Sequence, residues 1–154
     1  MAISVHFTRS GSIENLIEAR VRAARRSLDA ALYRFSNQKL VAALNAAGGR
    51  GVAIRIVINS NGHEEEYQVI GQTLLRLGIP LRTSGGRAAP GSKMHHKFAI
   101  FDGEAVITGS YNWTMESEEK NYENIVILDD SEAAAAYQKE FNRLWAEARE
   151  VPPA

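Results

Sequence analysis

The stretch HHKFAIFD (residues 95–102), followed by GSYN (residues 109–112), is the most informative part of this chain. Its alternating apolar residues and the Asp-Gly pair that follows them predict a β-hairpin. Residues two apart on a strand share a face, so His95 and Lys97 are expected to point together. His96 is expected to point the other way, into packing. The sequence therefore brings together a histidine, a lysine, a hydroxyl and a carboxamide. These groups can bind a phosphodiester and attack it.

Strand and helix patterns alternate along the rest of the chain. Short apolar runs predict strands at residues 3–7, 28–35, 52–58, 79–82 and 122–128. Helical spacing of apolar residues predicts helices capped by Ser12 and Asn37, a third that ends at Gly78 and a fourth over residues 131–148. This order predicts an α/β fold in which a mixed β-sheet is sandwiched between helices, as a single domain over residues 1–154.

The composition is that of an ordinary globular protein: 154 residues, 45% of them apolar and none of them cysteine. No apolar run approaches the roughly 18 residues of a membrane span. Because no amphipathic basic helix with an aromatic face is evident either, no stable membrane association is expected. Residues 1–7 are not typical of a signal peptide. The sequence as written predicts a cytoplasmic protein, and a leader removed beforehand would make it periplasmic or secreted.

The formal net charge of zero conceals an asymmetry along the chain. Residues 1–99 contain 14 Lys and Arg against 6 Asp and Glu, which gives +8, whereas residues 100–154 contain 4 against 12, which gives −8. Such a distribution is compatible with a basic surface for nucleic acid. It is equally compatible with solvated helix faces that have no binding role.

The polar residues of the hairpin have the chemistry to bind and attack a phosphate. Lysine offers three donors and a positive charge to a phosphate oxygen, and Ser110 and Asn112 offer neutral donors beside it. A neutral imidazole such as that of His95 is a nucleophile near pH 7. Its second ring nitrogen needs a partner that fixes the tautomer, and Glu123 is the carboxylate we expect there.

The spacing His-x-Lys-x4-Asp followed by Gly-Ser-x-Asn resembles the signature of the phospholipase D superfamily. The chain is most similar to the short single-motif members, which include bacterial endonucleases and mitochondrial cardiolipin hydrolase, and the similarity covers nearly its whole length. The resemblance implies a two-step displacement in which His95 is the nucleophile and Lys97 and Asn112 bind the phosphate. It further implies that Ser110 supports the site and that Glu123 completes the catalytic set by orienting the histidine.

Four further residues next to these positions are assigned less directly. Asp102 and Gly109 belong to the motif, and both are expected to be structural, since Asp102 falls in a turn. Arg87 and Lys93 flank the glycine-rich loop before His95, where they either contact flanking phosphates or keep the loop soluble.

One copy of the motif does not make a complete site. In-line displacement at phosphorus places the attacking and leaving groups on opposite sides, so a second general acid is needed. His6 and His63 occur in unrelated sequence contexts, and His63 beside Glu64 is better explained by a solvated helix start than by a metal site. A homodimer with a shared active site supplies the second His95. No metal or cofactor is called for.

These observations predict a metal-independent phosphodiesterase, a non-specific endonuclease whose substrate is nucleic acid, with DNA as the first candidate and RNA as the second. The alternative is a phospholipid hydrolase of the cardiolipin type with the same histidine chemistry. A nucleic-acid-binding module with a relic site is disfavoured, because every reactive position of the motif is intact.

Overall fold

The computed structural model describes residues 1–88 and 90–151, in which an eight-stranded β-sheet forms the middle layer. The strands are β1 (Ala2–Phe7), β2 (Ser27–Leu32), β3 (Ala53–Asn59), β4 (Leu81–Ser84), β5 (Lys97–Phe101), β6 (Ala105–Gly109), β7 (Asn124–Asp129) and β8 (Arg149–Glu150). Their order across the sheet is β1-β7-β6-β5-β2-β3-β4-β8. The pairs β2–β3 and β3–β4 are parallel and the other neighbours antiparallel, so the sheet is mixed.

Helices cover both faces of this sheet. They are α1 (Ile13–Ala23), α2 (Gln38–Gly49), α3 (Glu64–Arg76), the short α4 (Met115–Glu119) and α5 (Ser131–Glu147). Apolar residues of α1, α2 and α3 pack together against one face, and Phe141 of α5 packs against Phe98 and Val106 on the other. Strands covered on both faces are largely apolar, which is the pattern of β2 and β3 apart from Asp29 and Arg55, and these two residues pair with each other. The predicted fold class is confirmed.

Local capping explains where the helices begin. The side chain of Ser12 accepts a hydrogen bond from the N–H of Asn15, and that of Asn37 accepts one from the N–H of Leu40. Both predicted caps are therefore confirmed. The last helix is capped by Asp130, one residue before the predicted start.

Several predicted boundaries were wrong. The strand predicted from His95 begins at Lys97, and the strand predicted to reach Phe35 ends at Leu32. The Tyr33 N–H still donates to the His96 carbonyl at 2.8 Å, so one further hydrogen bond joins the two segments while His95 lies outside the sheet. Neither α4 nor β8 was predicted, because both are too short for a periodic pattern.

Ion pairs link the two oppositely charged parts of the chain. Arg20 lies 2.7 Å from Asp129, and Arg26 lies 2.9 Å from Glu104. Arg34 pairs with Glu116 at 3.4 Å as well as with Glu66 within its own half. Much of the predicted charge asymmetry is thus neutralised between neighbours, so it does not by itself make a basic face.

Across the described part of the chain, no helix combines the length and the apolar character needed to span a bilayer. The extent of the domain over residues 1–154 stays a prediction, since residues 89 and 152–154 lie outside the described residues.

Candidate active site

His95 and Lys97 meet at the start of β5. The Nζ atom of Lys97 lies 3.3 Å from His95 Nδ1 and 3.1 Å from the His95 carbonyl oxygen. His96 points to the opposite face, as predicted, where its ring lies 5.2 Å from that of Phe98 and its Nε2 lies 3.5 Å from Glu140. The expectation that His96 is packed was wrong, since nearly half of its side chain is exposed. His95 and Lys97 thus share the face that leads to the end of β6.

The environment keeps the His95 imidazole neutral. Shielding from water lowers its pKa, and the electrostatic effects of the nearby Lys97, Lys93 and His96 side chains lower it further. Shielding also lowers the pKa of Lys97, although the negative charge of Glu123 acts in the opposite direction. A neutral imidazole beside an ammonium group suits nucleophilic attack on an anion.

The contact between Lys97 and His95 also bears on the tautomer. An ammonium group can only donate, so Nδ1 of His95 acts as the acceptor in this contact and the ring proton belongs on Nε2. Nδ1 is therefore the ring nitrogen that faces Lys97.

Glu123 organises the loop after β6 and does not contact His95. Its carboxylate accepts hydrogen bonds from Ser110 Oγ at 2.6 Å, from Asn121 Nδ2 at 3.0 Å and from Ser117 Oγ at 3.1 Å. Among the described residues, no hydrogen bond joins Glu123 to His95. The orienting role of Glu123 toward His95 stays a prediction, since a carboxylate can accept more than the three hydrogen bonds that it makes within this chain.

Ser110 is held by two hydrogen bonds. Its hydroxyl donates to Glu123 and accepts from the N–H of Asn124 at 3.0 Å. A hydroxyl has a single proton to give, so in this arrangement Ser110 has none left for a phosphate. Its role here is to support the loop, which the resemblance also implied.

Asn112 has an unsatisfied acceptor at the site. Its backbone N–H donates to Ser117 Oγ at 3.2 Å, which fixes the loop against α4. Its side-chain Oδ1 is buried and has no hydrogen-bond partner among the described residues. Buried polar atoms are rarely left unpaired, so this acceptor lacks a donor within the single chain; a phosphate, whose oxygens also accept, would bind the Nδ2 amide group instead.

Asp102 and Gly109 have the structural positions that were predicted for them. The Asp102 carboxylate accepts hydrogen bonds from the backbone N–H groups of Arg25, Arg26 and Ser27, which ties the hairpin turn to the start of β2. A Cβ at position 109 would meet the backbone carbonyl oxygen of Asn124, so only glycine fits between β6 and β7.

The loop before His95 carries Lys93 and Arg87 on its exposed side. The side chain of Lys93 runs beside Gly62, where its Cε atom would lie 3.6 Å from an added Cβ. The charge of Lys93 lowers the pKa of His95. Arg87 lies further along the same loop, and its predicted contact with flanking phosphate stays a prediction. Ser92 closes the loop by donating to the Gly85 carbonyl at 2.8 Å.

Three residues near the site escaped sequence analysis, and a fourth, His63, was set aside there. The ring of Tyr33 lies 4.4 Å from that of His95, and its hydroxyl lies 3.2 Å from His63 Nε2. His63 is therefore close to the site, which corrects the expectation that its context is unrelated. Glu118 accepts hydrogen bonds from Tyr111 Oη and from Ser12 Oγ, and so anchors the motif loop to α1. Ser117 is the third that escaped it, and only the fold brings these residues to the motif.

Within residues 1–88 and 90–151, no three His, Asp or Glu side chains cluster closely enough to hold a metal ion. Glu64, Glu65 and Glu66 form the first turn of α3, as the helix-start interpretation predicted.

Known proteins are similar to this chain in both sequence and fold. The family model described as "Cardiolipin synthase, PLD-like domain" matches residues 17–145. A mitochondrial cardiolipin hydrolase of Xenopus laevis is 39% identical over 127 residues, which are 80% of this chain and 57% of that protein. A phospholipase D of Rickettsia bellii is 30% identical over 135 residues, which are 88% of this chain and 65% of that protein.

The crystal structure of Nuc, a phospholipase D family member from Salmonella typhimurium, aligns with a TM-score of 0.87 and 30% identity over 97% of both chains. This chain belongs to the phospholipase D superfamily. The resemblance drawn from the motif is confirmed. The chain spans little more than half the length of the cardiolipin hydrolase that it matches.

Proposed function

We propose that this protein is a metal-independent phosphodiesterase that works through a phosphohistidine on His95. The observation that carries the proposal is the contact between His95 and Lys97, in which a neutral imidazole lies 3.3 Å from an ammonium group at the start of β5. Shielding and nearby cations lower the pKa of His95, so the nucleophile is available at neutral pH. Membership of the family, together with one relative named a cardiolipin hydrolase and another named a phospholipase D, supports the same reaction class.

The reaction proceeds in two steps, a displacement by His95 and then a hydrolysis. The phosphate draws the Lys97 ammonium away from Nδ1, and the lone pair of His95 forms a bond to phosphorus while the bond to the leaving oxygen breaks. A general acid protonates that oxygen. Water then attacks phosphorus, gives up its proton to the same group and releases His95. Asn112 binds the phosphate through its carboxamide, and Glu123 acts at a distance by holding Ser110 and the loop.

We propose that the general acid is His95 of a second copy, which carries a proton in the same complex in which the attacking His95 is neutral. A nucleophile bonded to one side of phosphorus lies opposite the departing oxygen and does not reach it. The buried, unpaired Oδ1 of Asn112 supports an incomplete site in the single chain. His63 is the competing candidate within the chain, since it lies one side chain away from His95.

Nucleic acid is the substrate that we propose first. The positive charges of Lys93 and Lys97 both act on the His95 site, which favours a polyanion, and Lys93 lies on an exposed loop beside it. Cardiolipin is the second candidate, because the relative of 39% identity is named a cardiolipin hydrolase. Both substrates present the same phosphodiester to the same histidine.

Digestion in excess chelator tests the proposal and separates the substrates. Plasmid, single-stranded oligonucleotide and cardiolipin vesicles are each incubated with wild-type protein and with His95→Asn. Nucleic acid cleavage that is lost in the variant supports the first candidate, and cardiolipin turnover without nucleic acid cleavage supports the second. Turnover that needs a divalent ion, or that survives His95→Asn, contradicts the proposed mechanism.

Mixing experiments identify the general acid. Excess His95→Asn protein is expected to inactivate the wild type as mixed dimers form, whereas His63→Ala is expected to lower kcat only about fivefold. A fully active monomer together with a His63→Ala variant reduced about 10⁴-fold would assign the acid to His63 and refute the shared site.

A further inference from the structure

The Tyr33 side chain is in contact with both reactive groups of the site, although the motif does not include it. Its ring centroid lies 4.4 Å from the centroid of the His95 imidazole, with an angle of 46° between the planes. The Lys97 Nζ lies 5.1 Å from the same ring centroid, within the range of a cation–π contact. One aromatic ring thus borders the nucleophile and the phosphate-binding cation together.

The position of this ring is fixed at both ends. The backbone N–H of Tyr33 donates to the His96 carbonyl at 2.8 Å, so the residue is tied to the segment that carries the nucleophile. Its hydroxyl lies 3.2 Å from Nε2 of His63, at the start of α3, and the two rings meet edge to face at 5.5 Å. A ring held by its backbone and by its hydroxyl has little freedom to move.

Within residues 1–88 and 90–151, the His95 ring is restrained less than that of Tyr33. His95 precedes β5, and the one polar contact of its ring with these residues is that with Lys97, which must be given up when the phosphate binds. A nucleophile needs a fixed direction of attack, and small misplacements cost large factors in rate. The residue that still faces the imidazole after Lys97 has turned away is Tyr33.

We propose that Tyr33 is a positioning residue that orients His95 for attack, and that His63 holds Tyr33 in place through its hydroxyl. This inference rests on the proposed phosphodiesterase activity. It differs from a purely structural role because it predicts a loss in the chemical step with substrate binding retained. It also assigns a purpose to His63 without making it an acid.

Four variants test the proposal in the full-length chain. Tyr33→Leu keeps the bulk but removes the aromatic face, and kcat is expected to fall about 100-fold with KM changed less than about threefold. Tyr33→Phe and His63→Ala each remove the same hydrogen bond, and each is expected to lower kcat about fivefold. The double variant is expected to be no worse than either single variant, because the bond can be lost only once.

Tyr137→Phe and His6→Ala are the matched controls. Tyr137 packs on Phe98 at the opposite face of the sheet, and His6 lies on β1 with Ser4 as its partner. Both controls are expected to keep the wild-type kcat. Additive losses in the double variant, or an equal fall in the controls, would overturn the proposal.

A readout that needs no activity separates this inference from the proposed function. The imidazole CH signals of His95, assigned with His95→Asn, lie in the ring current of Tyr33. Tyr33→Leu is expected to shift these signals, whereas Tyr33→Phe is expected to leave them nearly in place. If the wild type cleaves no phosphodiester, the proposed function fails and this spectrum still decides whether Tyr33 holds His95. Unchanged His95 signals in Tyr33→Leu would refute the contact.

Discussion

Replacement of Asp102 tests whether the third residue of the motif is structural, and Asp102→Asn is the sharpest change. The carboxylate accepts from the N–H groups of Arg25, Arg26 and Ser27 at 2.6 to 3.1 Å. Hydrogen bonds to a charged acceptor contribute about 1.5–3 kcal/mol, and neutral ones about 0.5–1.5 kcal/mol. Because the three bonds share one acceptor group, we expect a loss of about 1–2 kcal/mol in the free energy of unfolding.

The pH dependence gives this prediction a sign. Burial alone would raise the pKa of Asp102, but the N–H groups and the Arg26 guanidinium outweigh it, so the pKa lies below its ordinary value. A lowered folded-state pKa stabilises the fold above the unfolded value of about 3.9, and this stabilisation is lost as the pH falls through the folded value. The difference between the wild type and the variant should therefore shrink in acid.

Urea unfolding at pH 7 and in acid measures both effects, with Asp130→Asn as the matched control. Asp130 accepts from a single N–H, that of Ala133, at a helix N-cap where asparagine serves equally well. We expect the control to change stability by less than about 0.5 kcal/mol. The reasoning is refuted if Asp102→Asn is as stable as the wild type at pH 7. A variant of full stability without activity would make Asp102 part of the chemistry.

Three further predictions concern the site and its support. The acid limb of kcat/KM for the free enzyme should lie below pH 6.5, because shielding and then nearby cations lower the pKa of His95. Lys93→Gln should move that limb upward, and a stationary limb contradicts the assignment. Gly109→Ala should cost about 3 kcal/mol in urea unfolding, because the new Cβ meets the β7 backbone, whereas Gly49→Ala, which meets no atom within 4 Å, should not. Ser117→Ala should cost about 1–3 kcal/mol and lower kcat, since Asn112 and Glu123 lose a shared partner; an unchanged kcat would dissociate this hydroxyl from the site.

The sequence was sufficient for the sheet, the main helices and the paired directions of His95 and Lys97. These features follow from periodicity and capping, which are local properties. The ends of the strands were harder to predict from the sequence. β5 begins at Lys97 and not at His95, because the neighbouring strand β2 ends at Leu32.

The contacts that support the site could not be predicted from local sequence patterns. Tyr33 and His63 are separated from His95 by long segments, and only the packing of β2 and α3 brings them together. Glu123 was expected to partner His95 on chemical grounds, and that contact stays a prediction, whereas the hydroxyl and amide donors that its carboxylate binds within this chain were not expected. A sequence pattern identifies the polar side chains of a site, whereas the fold decides which of them form hydrogen bonds with one another.

Rapid-quench trapping with a labelled oligonucleotide in excess chelator is the most direct test of the nucleophile. Phosphopeptide mapping is expected to find an acid-labile, base-stable phosphoramidate on His95, formed and lost at rates compatible with turnover and absent from His95→Asn. Turnover in chelator without a phosphorylated residue, or with the label on a different side chain, would contradict the covalent role of His95.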